Sequence, residues 1–107
     1  MKMNITPTKS PLSMEFKIAC EIYHYELKHA KCGIAKIRGN FITYGFDKKR
    51  TDAAVDTLHD WSIISCKYDE PTKQTLYIIA DDAKPHIKVM YNKWWKEERS
   101  NLKSLSP

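Results

Sequence analysis

The sequence predicts an α+β fold in which three helices are followed by a β-hairpin and a long closing helix, and three observations carry that expectation. Residues 48–59 form an amphipathic helical pattern after Asp47 that stops at Asp60-Trp61-Ser62. Two β-rich runs, 63–68 and 75–79, enclose the polar turn Asp69-Glu70-Pro71-Thr72-Lys73. A further helical pattern opens after Ile79-Ala80-Asp81-Asp82.

Residues 1–9 are polar and unpatterned and read as a flexible tail, with Lys2 and Lys9 able to brush a nucleic acid. Ser10-Pro11 opens the first helix, because serine caps well and proline fits a first-turn position that needs no amide hydrogen. Leu12, Phe16, Ala19, Tyr23 and Leu27 recur at helical spacing, and Met14, Ile18, Ile22 and Tyr25 widen the stripe. The helix should be mostly buried, run to about Lys28 and break at Cys32-Gly33. Ile34 and Ile37, one turn apart, mark a short second helix ended by Gly39-Asn40, which tolerate the left-handed conformation. Residues 41–46 form an aromatic-rich turn in which Gly45 is free to take a positive φ. Asp47 caps the third helix, about 48–60, with Thr51, Ala54, Val55 and Leu58 inward. After the hairpin, Asp81 or Asp82 caps the closing helix, and Pro85 is tolerated in its first turn. There Ala83, Ile87, Met90 and Trp94 make one apolar stripe, while Tyr91, Trp95 and Leu102 begin another. The domain spans 10–99, and residues 100–107 should fray.

A chain of 107 residues with 42% hydrophobic content is one domain with one core. Eighteen Lys and Arg against 13 Asp and Glu leave a net charge of +5, which favours anionic partners. No run of about 18 apolar residues occurs, and the first twenty residues lack the pattern of an export signal, so a soluble cytoplasmic protein with no membrane partner is expected. Three cysteines then read as reduced thiols, with a Cys32–Cys66 bridge left open for a hyperthermophilic source.

The order of elements is that of a winged helix-turn-helix: a three-helix core, a two- or three-stranded wing sheet and a long C-terminal helix. In that arrangement the third helix enters the major groove of double-stranded DNA and the wing, 63–79, touches the flanking backbone. The candidate DNA contacts are Lys36, Arg38, Lys48, Lys49, Arg50, Asp52, Ala53, Asp56, Lys67 and Lys73. Cations in the first turn suit phosphates and base edges, whereas Asp52 and Asp56 must face cytosine amino groups, basic side chains or solvent. A second apolar stripe exceeds what one small core requires. Tyr91, Trp95 and Leu102 are therefore candidate homodimer contacts, which would set two reading helices about 34 Å apart on a near-palindromic site.

Residues 12–95 resemble the MarR and PadR-type winged-helix regulators. Leu58-His59-Asp60-Trp61-Ser62-Ile63-Ile64 matches the phrase that precedes the wing there, with Ser62 where that pattern prefers glycine. Ile79-Ala80-Asp81-Asp82-Ala83 matches the phrase that opens the next helix, with Ala80 and Ala83 in place of threonine and glycine. The resemblance implies a transcriptional regulator dimerised through terminal helices, of which this chain offers the C-terminal one.

Two other classes stay open: a winged helix used for protein contact, and a thiol- or metal-responsive repressor. Cys20, His24, His29 and Cys32 place four borderline ligands within thirteen residues. His24 and His29, however, lie about 140° apart around a helix at 3.6 residues per turn, so one ion does not reach both pairs. No metal or cofactor is expected. With three glycines there is no phosphate-binding loop, and no nucleophile-elbow phrase occurs, so the chain reads as a non-enzyme.

Overall fold

The computed structural model describes residues 10–104, so the expectations on the tail, including Lys2 and Lys9, and on residues 105–107 lie outside it. The described residues form an α+β fold: α1 (Met14–Leu27), α2 (Ile34–Thr43), α3 (Lys48–Asp60), β1 (Ile64–Asp69), β2 (Gln74–Ile79), α4 (Lys84–Met90), a π-helical turn (Tyr91–Trp95) and α5 (Lys96–Ser104). None of these helices is long and apolar enough to cross a membrane.

α1 is the central element. Every residue from Ile18 to Tyr23 is buried, because α2, α3, β2 and the C-terminal helical run all pack around it. It starts later than Ser10-Pro11 predicts: Ser13 is the cap, its Oγ accepting from Phe16 N at 3.3 Å, while Ser10 Oγ is bonded to Glu98 instead. Leu27, expected inside, is exposed.

Three helices end in the same way. At the ends of α1, α2 and α3 the residues His29, Gly45 and Ser62 take positive φ values of 55°, 97° and 60°. In each case two amides fold back on the last turn: His29 and Ala30 onto Glu26 and Tyr25, Gly45 and Phe46 onto Ile42 and Phe41, Ser62 and Ile63 onto His59 and Leu58. These paired bonds are Schellman caps, which satisfy carbonyls that the helix leaves without donors. Glycine adopts that conformation without strain; histidine and serine carry a Cβ that opposes it.

Gly39-Asn40 do not end α2. The helix continues to Thr43, which places Phe41 in the core with no exposed surface, and the left-handed residue is Gly45. That extension explains a second departure. The expected outer stripe of the closing helix is its inner one: Trp95 is fully buried and stacks on Phe41 at 5.9 Å and 5°, and Tyr91 is buried edge-on to Tyr23. With Phe41 assigned to a turn, Trp95 had nothing to pack against.

The closing helix also differs at both ends. Asp81 and Asp82 lie in a turn, and Ala83 stands at the cap position with no side-chain bond. Residues 100–104, expected to fray, are helical.

The hairpin pairs antiparallel with Ile64 opposite Ile79, Cys66 opposite Tyr77 and Tyr68 opposite Thr75. β2 has a second, minimal partner: Tyr77 N donates to Cys32 O at 2.8 Å, and Gly33 bridges Leu76. A Cβ on Gly33 would lie 3.1 Å from Thr75 O and would collide with Gln74 Oε1, so glycine permits this close approach. Lys31 to Asp69 (2.9 Å) and Lys84 to Glu26 (2.7 Å) tie the sheet region to the helices, with Glu26 Oε1 also accepting from Ile79 N.

Candidate nucleic-acid interface

Asp47 sets the start of α3, its carboxylate accepting from Arg50 N at 3.0 Å. Thr51, Ala54, Val55 and Leu58 then face the core, held at 4% exposure or less. The opposite face carries Lys48, Lys49, Arg50, Ala53 and Asp56, all exposed. The N-terminal amides of a helix and three first-turn cations form a surface of positive potential.

That potential is partly cancelled. Arg38 on α2 grips Asp52 on α3 in a two-pronged ion pair, Nε to Oδ1 at 2.8 Å and Nη2 to Oδ2 at 3.0 Å. Lys48 Nζ stands 4.0 Å from the same carboxylate. The Arg38 bond holds the Asp52 carboxyl below its usual range, so Asp52 is a charged strut between the two helices. Both residues were expected at a nucleic acid; both are engaged with each other.

The remaining predicted residues are spread more widely. Lys36 lies over the Tyr25 ring at 4.7 Å, on the α1 side of α2. Lys67 is exposed on β1 opposite Leu76, and Lys73 sits at a φ of 55° in the hairpin turn. Tyr91 and Trp95 are not free for a partner chain, since their side chains are inside this protomer, and Leu102 packs part-buried against the same core.

A buried polar cluster went unnoticed in the sequence. Glu21, with no exposed surface, accepts four hydrogen bonds: from Arg99 Nε (2.7 Å) and Trp95 Nε1 (3.0 Å) on Oε1, and from Asn40 Nδ2 (2.8 Å) and Tyr44 OH (3.0 Å) on Oε2. Burial alone would lower the Arg99 guanidinium, but the bond to Glu21 and the Glu21 charge, with Tyr44 and Tyr25, together outweigh it and hold the side chain charged. A carboxylate taken out of water survives only when fully partnered, and here it ties α1 to α2 and α5. A signal was present: Glu21 lies three residues after Ile18 and four before Tyr25, inside the apolar stripe. Beside it, His24 Nδ1 and Tyr91 OH lie 2.8 Å apart, and burial together with the Arg99 charge pulls the imidazole down to about 4.

All three cysteines are free; Cys20 and Cys32 are buried, and Cys66 is exposed on β1. Burial, reinforced by the Glu21 charge, pushes Cys20 and Cys32 up to about 12, so neither supplies the thiolate that oxidation or metal capture requires. Among the described residues no group of three or more His, Cys, Asp or Glu side chains is placed to hold a metal ion. No protein-family model matches the chain, and comparison with curated proteins and with solved structures returns no significant match.

Proposed function

We propose that this protein is a winged-helix DNA-binding regulator of the MarR/PadR type that reads double-stranded DNA with α3 and steadies the duplex with the β1–β2 wing. The observation that carries this reading is the two-faced character of α3. One side is sealed against the core by Thr51, Ala54, Val55 and Leu58, and the other presents Lys48, Lys49, Arg50, Ala53 and Asp56 to solvent beside an antiparallel ribbon. Lys49 and Arg50 meet phosphates or base edges, Ala53 permits close approach, Lys67 and Lys73 reach the neighbouring backbone, and Arg38–Asp52 fixes the angle between the two helices. A homodimer on a palindromic site would use a surface other than Tyr91 and Trp95.

The test is a mobility-shift series across salt concentrations. Lys49→Ala with Arg50→Ala should weaken binding and reduce the slope of log K against log salt by about two, roughly 0.9 per phosphate contact. An unchanged slope removes α3 from the interface. A second reading, a winged helix that docks a protein, is favoured by the exposed Asp56 and by the Asp52 carboxylate on the same helix. No retardation of random duplex at micromolar protein and low salt would select it, because non-specific DNA binding falls at roughly 10⁻⁴ to 10⁻⁶ M even at physiological salt.

A further inference from the structure

A second cationic region lies away from α3 and the hairpin and shares no residue with them. A groove of about 650 Å³ opens between the end of α1 and α5, lined by His24 and Lys28 on one side, Lys96, Arg99, Ser100, Lys103 and Ser104 on the other, and Tyr91 between. Lys96, Arg99, Ser100 and Lys103 stand at helical spacing, so α5 turns one face toward it. We propose that this groove binds a compact oxyanion carrying at least two negative charges, a clustered phosphate or carboxylate ligand small enough to enter between the two helices.

Four observations support the assignment. No acidic side chain lines the groove, and Lys28, Lys96 and Lys103 have no carboxylate within ion-pair distance among the described residues, whereas Lys17, Lys31 and Lys84 each do. Arg99 is immobilised: its side chain is 12% exposed, Nε is fixed on Glu21 and Nη2 lies 3.4 Å from Tyr25 OH. A guanidinium already held in place loses little freedom when it binds an anion. At the end of α1 the Tyr25 and Glu26 carbonyls are already occupied by the amides of Lys28, His29 and Ala30. Finally, the π-helical turn ends at the groove, with Lys96 N donating to Tyr91 O across it, and such wide turns recur at functional sites. The volume falls in the range of small-ligand sites, and the groove is open to solvent. Burial first, then the Arg99 charge, lowers the His24 pKa; Glu21 opposes this, and Lys28 and Lys103 add to it.

The experiment follows backbone amide shifts of the full chain at about 0.15 M salt, where the screening length is about 8 Å, on titration with inorganic pyrophosphate, with citrate and separately with a short random duplex. Expected is saturable movement confined to residues 24–28 and 91–104 with pyrophosphate or citrate, at a Kd below about 1 mM, and whichever anion is tighter identifies the ligand class. Lys96→Gln with Lys103→Gln, both exposed and outside the core, should weaken that binding on the order of tenfold, while Lys48→Gln with Lys49→Gln leaves it unchanged. The proposal is overturned by no saturable shift with either small anion, by shifts spread equally over the α3 lysines, by movement of the groove with duplex alone, or by unaltered affinity in the groove variant. The DNA reading is judged separately by the duplex arm: duplex shifts confined to α3 and the hairpin keep it, whatever the small anions do, and duplex shifts confined to the groove count against both readings.

Discussion

The start of α3 and the groove beside α5 are built from the same cationic side chains in opposite settings. On α3 the positive charges are interleaved with acids, Arg38 is committed to Asp52, and Lys48 stands near the same carboxylate. Beside α5 no acidic side chain among the described residues lines the groove: Glu21 is buried and fully hydrogen-bonded, and Glu97 and Glu98 on α5 lie outside the lining, so the groove's three lysines have no ion-pair partner there. Net charge alone does not locate a binding surface; the distribution of partners does. A further contrast lies in the polar ties, since the groove side holds a buried charge network and the α3 side the half-buried Arg38–Asp52 pair, which salt and solvent weaken more.

Glu21→Ala should separate the two sides most strongly. It leaves Arg99, Asn40, Tyr44 and Trp95 without their acceptor, and a loss of about 3–5 kcal/mol is expected in urea denaturation. A loss below about 1 kcal/mol would break the contrast.

Acid should act next, and again on the groove side. His24 takes up a proton at about 4 in the folded chain against 6.5 when free, so its contribution to stability is complete above about pH 6.5 and is lost as pH falls toward 4. Because the ring is partly solvated, the loss is about 1 kcal/mol after screening. Melting temperature against pH should slope downward through this window in the parent chain and less steeply in His24→Gln.

At the end of α3, Ser62→Gly should gain up to about 1 kcal/mol by relieving the left-handed serine, read as a higher denaturant midpoint. Gly45→Ala, at a φ of 97°, should move the midpoint the other way. The smallest effect is expected from Asp52→Asn, which replaces a half-buried pair and should lower the denaturant midpoint only slightly while tightening non-specific DNA binding by removing a negative charge from α3. Weaker DNA binding in that variant would instead mark Asp52 as a necessary strut.

The elements that local chemistry defines were legible. Asp47 as a cap, the period of Thr51, Ala54, Val55 and Leu58, and the polar turn between two β-rich runs each depend on neighbours in sequence, and the structure contains all three. What pairing over distance decides was hidden. Phe41 reads as a turn aromatic until Trp95 is laid on it, and Trp95 reads as an outer residue until Phe41 receives it, so one misplacement produced the other. The exposed cations of the candidate interface could be foreseen from the face they share, but Arg38–Asp52 could not, because the partners sit on separate helices. The groove was invisible for the same reason: its walls come from segments nearly seventy positions apart.

The π-helical turn gives the C-terminal third of the chain an unusual tolerance at one place. Residues 91–95 hold one more position than an ordinary helical turn would, with the bond from Lys96 back to Tyr91 closing the widened loop. Each residue of an ordinary helix advances the chain by about 100° around the axis. Deleting the exposed Asn92 would let the turn close as an ordinary α-turn and leave Arg99 and the lysine face close to their present phase, whereas deleting Glu97 from α5 would swing everything downstream by that angle. Spacing, more than side-chain identity, is what α5 has to preserve.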